Sequence, residues 1–144
     1  KGVERVEHHA AWTPILKYPK MLADMDFDIG IAPVVDSAFN RGKSNLRWLE
    51  YSGLGIPCVA SNVGHFAQTV AHGDDGFLAD TPEDFYTHLK ALIANRKLRT
   101  AMGARAKERM TRDFGAIAGS RHYADVIRQA IAKKAEAIPA EVIQ

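Results

Sequence analysis

Residues 43–61, which read KSNLRWLEYSGLGIPCVAS, decide the fold of this chain. Residues 43–54 have the pattern of a helix that ends at two glycines, Gly53 and Gly55. The apolar residues 57–60 predict a short buried strand, which starts with a proline where a missing N–H group matters least. A helix that leads directly into a buried strand is typical of proteins in which helices alternate with parallel strands.

The same alternation continues on both sides of this stretch. Upstream, residues 27–35 (FDIGIAPVV) form an apolar run typical of a strand buried on both faces. In chain order, we predict a strand at 3–8, a helix at 15–25, a strand at 27–35, a loop at 37–42 and a helix at 43–54. A strand at 57–60, a turn and short helix at 64–70 and a strand at 77–79 follow. The rest of the chain is predicted to be helical, with a helix starting at Pro82 and helices at about 96–112 and 116–137. The pattern predicts an α/β fold with a Rossmann-like parallel sheet, flanking helices and a helical C-terminal tail.

The composition fits one ordinary domain. The chain has 144 residues, of which 47% are hydrophobic, and no apolar run approaches the roughly 18 residues that span a membrane. The single cysteine, Cys58, excludes an internal disulfide framework, fits a reducing, cytoplasmic compartment, and is expected to be an inert core thiol. The net charge of +2 gives no argument for nucleic acid. The histidines are scattered without zinc-site spacing, so we expect no metal.

The stretch Gly42-Lys43-Ser44 raises the question of a P-loop. A Walker A loop needs a glycine five residues before Gly42, where this chain has Ser37. It also needs a later strand that ends in an aspartate for Mg²⁺, and the only match, residues 77–80, is expected in a hairpin-like turn. We therefore reject the P-loop.

The same stretch can bind an anion in another way. A loop that leaves a buried parallel strand here meets a helix N-terminus, where unpaired N–H groups and the helix dipole favour phosphate. Lys43 adds a charge, and Ser44 and Asn45 can donate hydrogen bonds. Glu50 is expected on the same helix face as Lys43 and Arg47, where it could accept from a ribose diol, while Leu46, Leu49 and Gly53 form the packing face. The alternative is a solvated face on which Glu50 pairs with Arg47 or Lys43, and the residues alone leave both open.

Several stretches together carry a family resemblance: DIGIAPV (28–34), LEYSGLGIPCVAS (49–61), Val63-Gly64, HGDDGFL (72–78) and Pro82-Glu83-Asp84, with Trp12 and the helix at 15–25 upstream. In this order they resemble the C-terminal, donor-binding half of GT-B glycosyltransferases, especially the retaining group that uses nucleotide-diphosphate sugars. The resemblance implies one partial nucleotide-sugar-binding domain over residues 1–144, with residues 115–144 as a crossover-type helix. It places the donor nucleotide and diphosphate at Gly42, Lys43, Ser44, Asn45 and Glu50, with Glu50 on the ribose hydroxyls.

The resemblance also has departures. Gly42 takes the place of the glutamate that contacts the donor sugar in the family, and Gln68 stands where an acidic residue is frequent. The chain opens Lys1-Gly2-Val3 without an initiator methionine, so we expect a piece of a longer protein. The missing N-terminal domain, a partner of this one, would supply the acceptor site and the catalytic residues. The piece alone is expected to be inactive. The complete enzyme is expected to use a nucleotide-diphosphate sugar as co-substrate and to need no cofactor or metal.

Two other functions stay open at this point. A non-catalytic sugar-nucleotide-binding module fits Gly42, and a nucleotide-sugar epimerase-type domain shares the two-domain architecture.

The helix at 96–112 carries seven Lys or Arg residues, which form a solvated basic face by default. The functional option for that face is peripheral contact with an anionic membrane on its inner side. Nucleic acid is not expected, since no aromatic residue interrupts the basic run. Trp12 and Trp48 are expected to pack, and Ile127, Ile131 and Ile138 to be exposed.

Overall fold

The computed structural model describes residues 14–136, with side chains up to residue 133. The predicted strand at 3–8, Trp12 and Ile138 lie outside the described residues. The elements are α1 (Tyr18–Asp24), β1 (Gly30–Ala32), α2 (Ala38–Arg41), α3 (Leu46–Leu54), β2 (Cys58–Ser61), α4 (Gly64–Thr69), β3 (Phe77–Ala79), α5 (Pro82–Ala94), α6 (Arg96–Phe114) and α7 (Ala116–Glu136).

The three strands form one parallel sheet in the order β1-β2-β3. Ile31 pairs with Val59, and Ala60 pairs with Leu78. The predicted α/β fold, a Rossmann-like parallel sheet with flanking helices and a helical C-terminal region, is confirmed. Because all strands run the same way, their carboxyl ends meet at one edge of the sheet, which is where open α/β sheets bind ligands.

Two apolar clusters lie on the two faces of the central strand, β2. Successive β2 side chains point to opposite faces, so that Cys58 and Ala60 enter one cluster and Val59 the other. The first cluster also holds Trp48 from α3, and the second holds Leu92 and Met102 from α5 and α6. Trp48 and Cys58 are buried core residues, as predicted.

The segment before α3 differs from the prediction. Residues 38–41, expected in a loop, form α2, because Ser37 caps it and its Oγ accepts from the Asn40 N–H at 3.2 Å. α3 then begins at Leu46 rather than at residue 43. The C-terminal end of α3 is as predicted, since Gly55 adopts a left-handed conformation with φ 76°.

The strands also correct two expectations. β3 was expected in a hairpin-like turn, but it is a parallel strand paired with β2. The predicted strand at 27–35 is only Gly30–Ala32, and Ile31 is 50% exposed. β1 is the edge of the described sheet, and the described helices leave one of its faces uncovered. Burial on both faces was therefore wrong for this strand.

Two of the helices, α3 and α7, also have exposed apolar side chains. Leu46, expected on the packing face of α3, is 55% exposed, because Trp48 and Ser52 form the buried side of that helix. On α7, the exposure predicted for Ile127 and Ile131 is confirmed, at 57% and 64%.

Candidate functional site

The amino end of α3 carries unpaired backbone donors. The N–H groups of residues 44–47 donate no hydrogen bond to any partner within residues 14–136. The first bonded amide is that of Trp48, which donates to the Asn45 carbonyl at 3.0 Å. Four free amides at the positive end of a helix dipole favour an anion.

A cavity of about 310 Å³, which we call the Lys43 cavity, opens at this helix end. Lys43, Ser44 and Arg47 line it on the helix side, and the end of β1 lines it on the sheet side. The Lys43 ammonium lies 4.6 Å from the centroid of the exposed Phe39 ring. The cavity lining includes two cationic side chains, those of Lys43 and Arg47, and no carboxylate.

The structure also shows why this stretch is not a P-loop. The amides that would wrap a phosphate there are already bonded: Gly42 N–H donates to Phe39 O at 3.3 Å and Lys43 N–H donates to Asn40 O at 3.2 Å. The helix α2 occupies the place where a Walker A loop would lie. The P-loop is therefore still rejected, although β3 is a parallel strand and not the hairpin-like turn expected from the sequence.

Two other predicted site residues have specific surroundings. The side-chain amide of Asn45 donates to Thr69 Oγ1 at 2.9 Å, so this side chain is engaged within the protein. Gly42 ends α2 with an ordinary backbone conformation, φ −86°. A Cβ at Gly42 would come no closer than 3.6 Å to the Phe39 carbonyl oxygen, so a larger side chain has room there.

Glu50 lies four residues after Leu46, the first residue of α3, which is about one helical turn, and three polar side chains meet there. The Tyr18 hydroxyl donates to Glu50 Oε2 at 3.2 Å. Arg47 Nη1 donates to the Tyr18 hydroxyl oxygen at 2.7 Å and to Glu50 Oε2 at 3.2 Å. The Glu50 side chain is 18% exposed, so it faces neither open solvent nor the apolar core. The pairing with Arg47 that the solvated-face alternative predicted is present.

A second cavity, which we call the Glu50 cavity, lies between α1 and α3 and measures about 500 Å³. Apart from Tyr18 and Glu50, its lining is apolar, with Ile15, Leu22 and Leu49 among the residues. Leu46 lines both this cavity and the Lys43 cavity. Lys43 itself precedes α3, so the prediction that it shares a helix face with Glu50 is wrong, and the two residues line neighbouring cavities instead.

Tyr18 was not singled out by the sequence analysis. It lies on α1, 32 residues before Glu50, and no local spacing connects the two. Only the tertiary position of α1, across the Glu50 cavity from α3, brings them together. An alignment in which the two positions changed together could have found the pair.

A third cavity, of about 690 Å³, follows the carboxyl edge of the sheet and is lined by the loops after all three strands. Its two carboxylates are engaged with the protein. Asp36 pairs with Arg41 at 2.6 Å, and Asp80 accepts from the Asn62 amide at 3.0 Å.

The basic helix α6 is largely occupied by internal pairs. Arg99 pairs with Asp28 at 3.0 Å, Arg105 pairs with Asp74 at 2.6 Å, and Arg109 pairs with Asp75. Within the described residues, no group of three or more His, Cys, Asp or Glu side chains could hold a metal ion. None of the helices in residues 14–136 combines the length and the apolar character needed to cross a membrane.

Comparison with known proteins gives the context of these cavities. The sequence profile of a family described as glycosyl transferase-like matches residues 2–123. A stretch of 68 residues is 31% identical to N-acetyl-alpha-D-glucosaminyl L-malate synthase of Bacillus anthracis. That match covers 46% of this chain and 18% of the relative, so the chain spans a small part of that protein's length. The profile match over most of the chain shows that this protein belongs to the glycosyl transferase-like family.

Proposed function

We propose that this chain is the donor-binding half of a GT-B glycosyltransferase and that it holds the nucleotide diphosphate of a sugar donor along α3. The observation that carries the proposal is the arrangement at the start of that helix. The amides of residues 44–47 are unpaired, Ser44, Leu46 and Arg47 line a cavity together with Lys43, and Glu50 lines the next cavity.

The diphosphate is assigned to the Lys43 cavity. Phosphate oxygens accept hydrogen bonds, and the lining of this cavity includes Lys43 and three residues with unpaired amides, Ser44, Leu46 and Arg47. Arg47 adds a second cation at the side of the cavity that leads to Glu50. No metal is needed in this proposal, since protein cations offset the phosphate charge.

The nucleoside is assigned to the Glu50 cavity. Glu50 accepts from a ribose hydroxyl, and the apolar wall formed by Ile15, Leu22 and Leu49 receives the base. Because Leu46 borders both cavities, a single ligand can place its phosphates in one and its nucleoside in the other.

In the full-length enzyme, the reaction breaks the bond between the sugar and the diphosphate. Negative charge grows on the departing diphosphate, and Lys43 with the free amides stabilises that charge more strongly in the transition state than in the ground state. The acceptor site and the catalytic residues belong to the N-terminal domain in this proposal, so this chain alone binds the donor and does not turn it over.

A non-catalytic sugar-nucleotide-binding module is the second candidate, and Gly42 favours it. A glycine supplies no side chain for the donor sugar at the position where the family has a glutamate, although a side chain would fit there. Activity of the full-length protein with a sugar-nucleotide panel separates the two candidates.

The test of the binding site is calorimetric titration of this chain with uridine, guanosine and adenosine diphosphates. Lys43→Ala and Glu50→Gln should each weaken binding about tenfold or more, because each removes a charged contact worth roughly 1.5 to 3 kcal/mol. Lys90→Ala is the matched control, since the Lys90 ammonium also lies over an aromatic ring, 5.7 Å from the centroid of Tyr86. Glu83→Gln, an exposed change on α5, is the second control. Wild-type affinity in both site variants would refute the assignment.

A further inference from the structure

The Tyr18 hydroxyl donates a hydrogen bond to Glu50, and the function proposed above does not itself require this contact. Of the two carboxylate oxygens of Glu50, Oε2 receives both protein hydrogen bonds, from Tyr18 and from Arg47. Oε1 receives none from the described residues. One oxygen is therefore fixed by the protein and the other remains available to a ligand.

The two donors differ in how firmly they hold the acid. Arg47 is three residues from Glu50 on the same helix and 57% exposed, and exposed pairs of this kind contribute little to holding a side chain in place. Tyr18 is part-buried and comes from another helix, α1. Its ring is rigid, and its hydroxyl also accepts from Arg47 at 2.7 Å, so the tyrosine orders both members of the pair.

On this geometry, and resting on the function proposed above, we propose that Tyr18 is a positioning residue for ribose recognition: it fixes Glu50 so that Oε1 points to the ribose hydroxyls. The physical gain is preorganisation. A glutamate that is ordered before the ligand arrives loses less side-chain entropy on binding.

Protonation supports the direction of the bond. Burial, and after it the charge of Glu50, raises the pKa of Tyr18 above its ordinary value. The hydroxyl therefore stays protonated at neutral pH and donates to the carboxylate, and it does not add a second negative charge beside Glu50.

The test compares ribonucleoside diphosphates with their 2′,3′-dideoxy counterparts, for each of the three bases used above. Tyr18→Phe removes the hydroxyl and keeps the ring. It should weaken binding of the ribonucleotide about three- to tenfold and leave binding of the dideoxy nucleotide unchanged, since the latter has no hydroxyl for Glu50. Tyr86→Phe, at an exposed position, should change neither.

The outcomes separate the two proposals. If Glu50→Gln removes the preference for ribose and Tyr18→Phe does not, the positioning role is wrong and the binding site stands. If the wild-type chain binds no nucleotide, or binds both kinds equally, the ribose site and the positioning role both fall. A merely structural role for Tyr18 would lower affinity for both nucleotides, which also overturns the proposal.

The contact can be measured without a ligand. The ring signals of Tyr18, followed by NMR through alkaline pH, should titrate at lower pH in Glu50→Gln than in the wild type, because a neutral neighbour no longer disfavours the tyrosinate. An unchanged titration would show that the two side chains do not meet in solution and would overturn the proposal.

Discussion

Gly103 of α6 lies against Gly55, at the C-terminal end of α3, so closely that a Cβ at Gly103 would overlap the Gly55 carbonyl oxygen. This contact sets the separation between α6 and α3, the helix that carries the candidate site. We expect Gly103→Ala to lower the free energy of unfolding by about 3 kcal/mol, since backbone atoms cannot yield as a side chain can. Urea denaturation of both proteins checks the value.

The matched control for that substitution is Gly119→Ala on α7. A Cβ there meets no atom within 4 Å, so only helix propensity acts, and the change should raise stability by up to about 1 kcal/mol. Equal effects of the two substitutions would show that the helices are not in close contact at Gly103.

A buried ion pair links α6 to the turn before β3. Asp75 is 1% exposed, accepts from the Ala71 N–H at 2.8 Å and pairs with Arg109. Arg109→Met should destabilise the protein by about 3 kcal/mol, because it leaves a carboxylate buried without its cation. Thermal or urea unfolding measures the loss.

Two further variants test the cause of that loss. Arg128→Met breaks an exposed pair with Asp125 and should change stability by less than about 0.5 kcal/mol. Adding Asp75→Asn to Arg109→Met should recover part of the stability, since the unpaired charge is then gone. A double variant less stable than Arg109→Met would show that the charge of Asp75 is not the cause.

Cys58 should be unreactive in the folded protein. It lies in β2 at 1% exposure, and burial raises the pKa of its thiol to about 12. Below pH 9.0 we expect no labelling by a thiol reagent until the chain is unfolded, and full labelling after that. Rapid labelling of the native protein would contradict the buried position.

The same pKa gives a pH dependence with a definite sign. The folded state keeps the thiol proton more tightly than the unfolded state, whose pKa is near 9.0. This contribution is present below pH 9.0 and is lost as the pH rises toward about 12. The stability of the Cys58→Ala variant should fall less steeply over that window than the wild-type stability.

The elements around β2 could be predicted because their signals are local. The alternation of helices and strands, the left-handed glycine that ends α3, and the buried thiol all follow from residues that are neighbours in the chain. The position of Lys43 near a helix end also followed from local pattern. The start of α3 did not, because the cap at Ser37 favours a separate short helix that a loop-like composition conceals.

The sequence by itself therefore determined the α/β class, the order of the elements other than α2, and the position of Lys43 near a helix end. Only the tertiary structure decided that Lys43 and Glu50 line two neighbouring cavities, that Ile31 and Leu46 are exposed, and that Tyr18 meets Glu50. The physical reason is that secondary structure depends on interactions within a few residues. Which side chains meet, and which remain uncovered, depends on how elements far apart in the chain pack against one another.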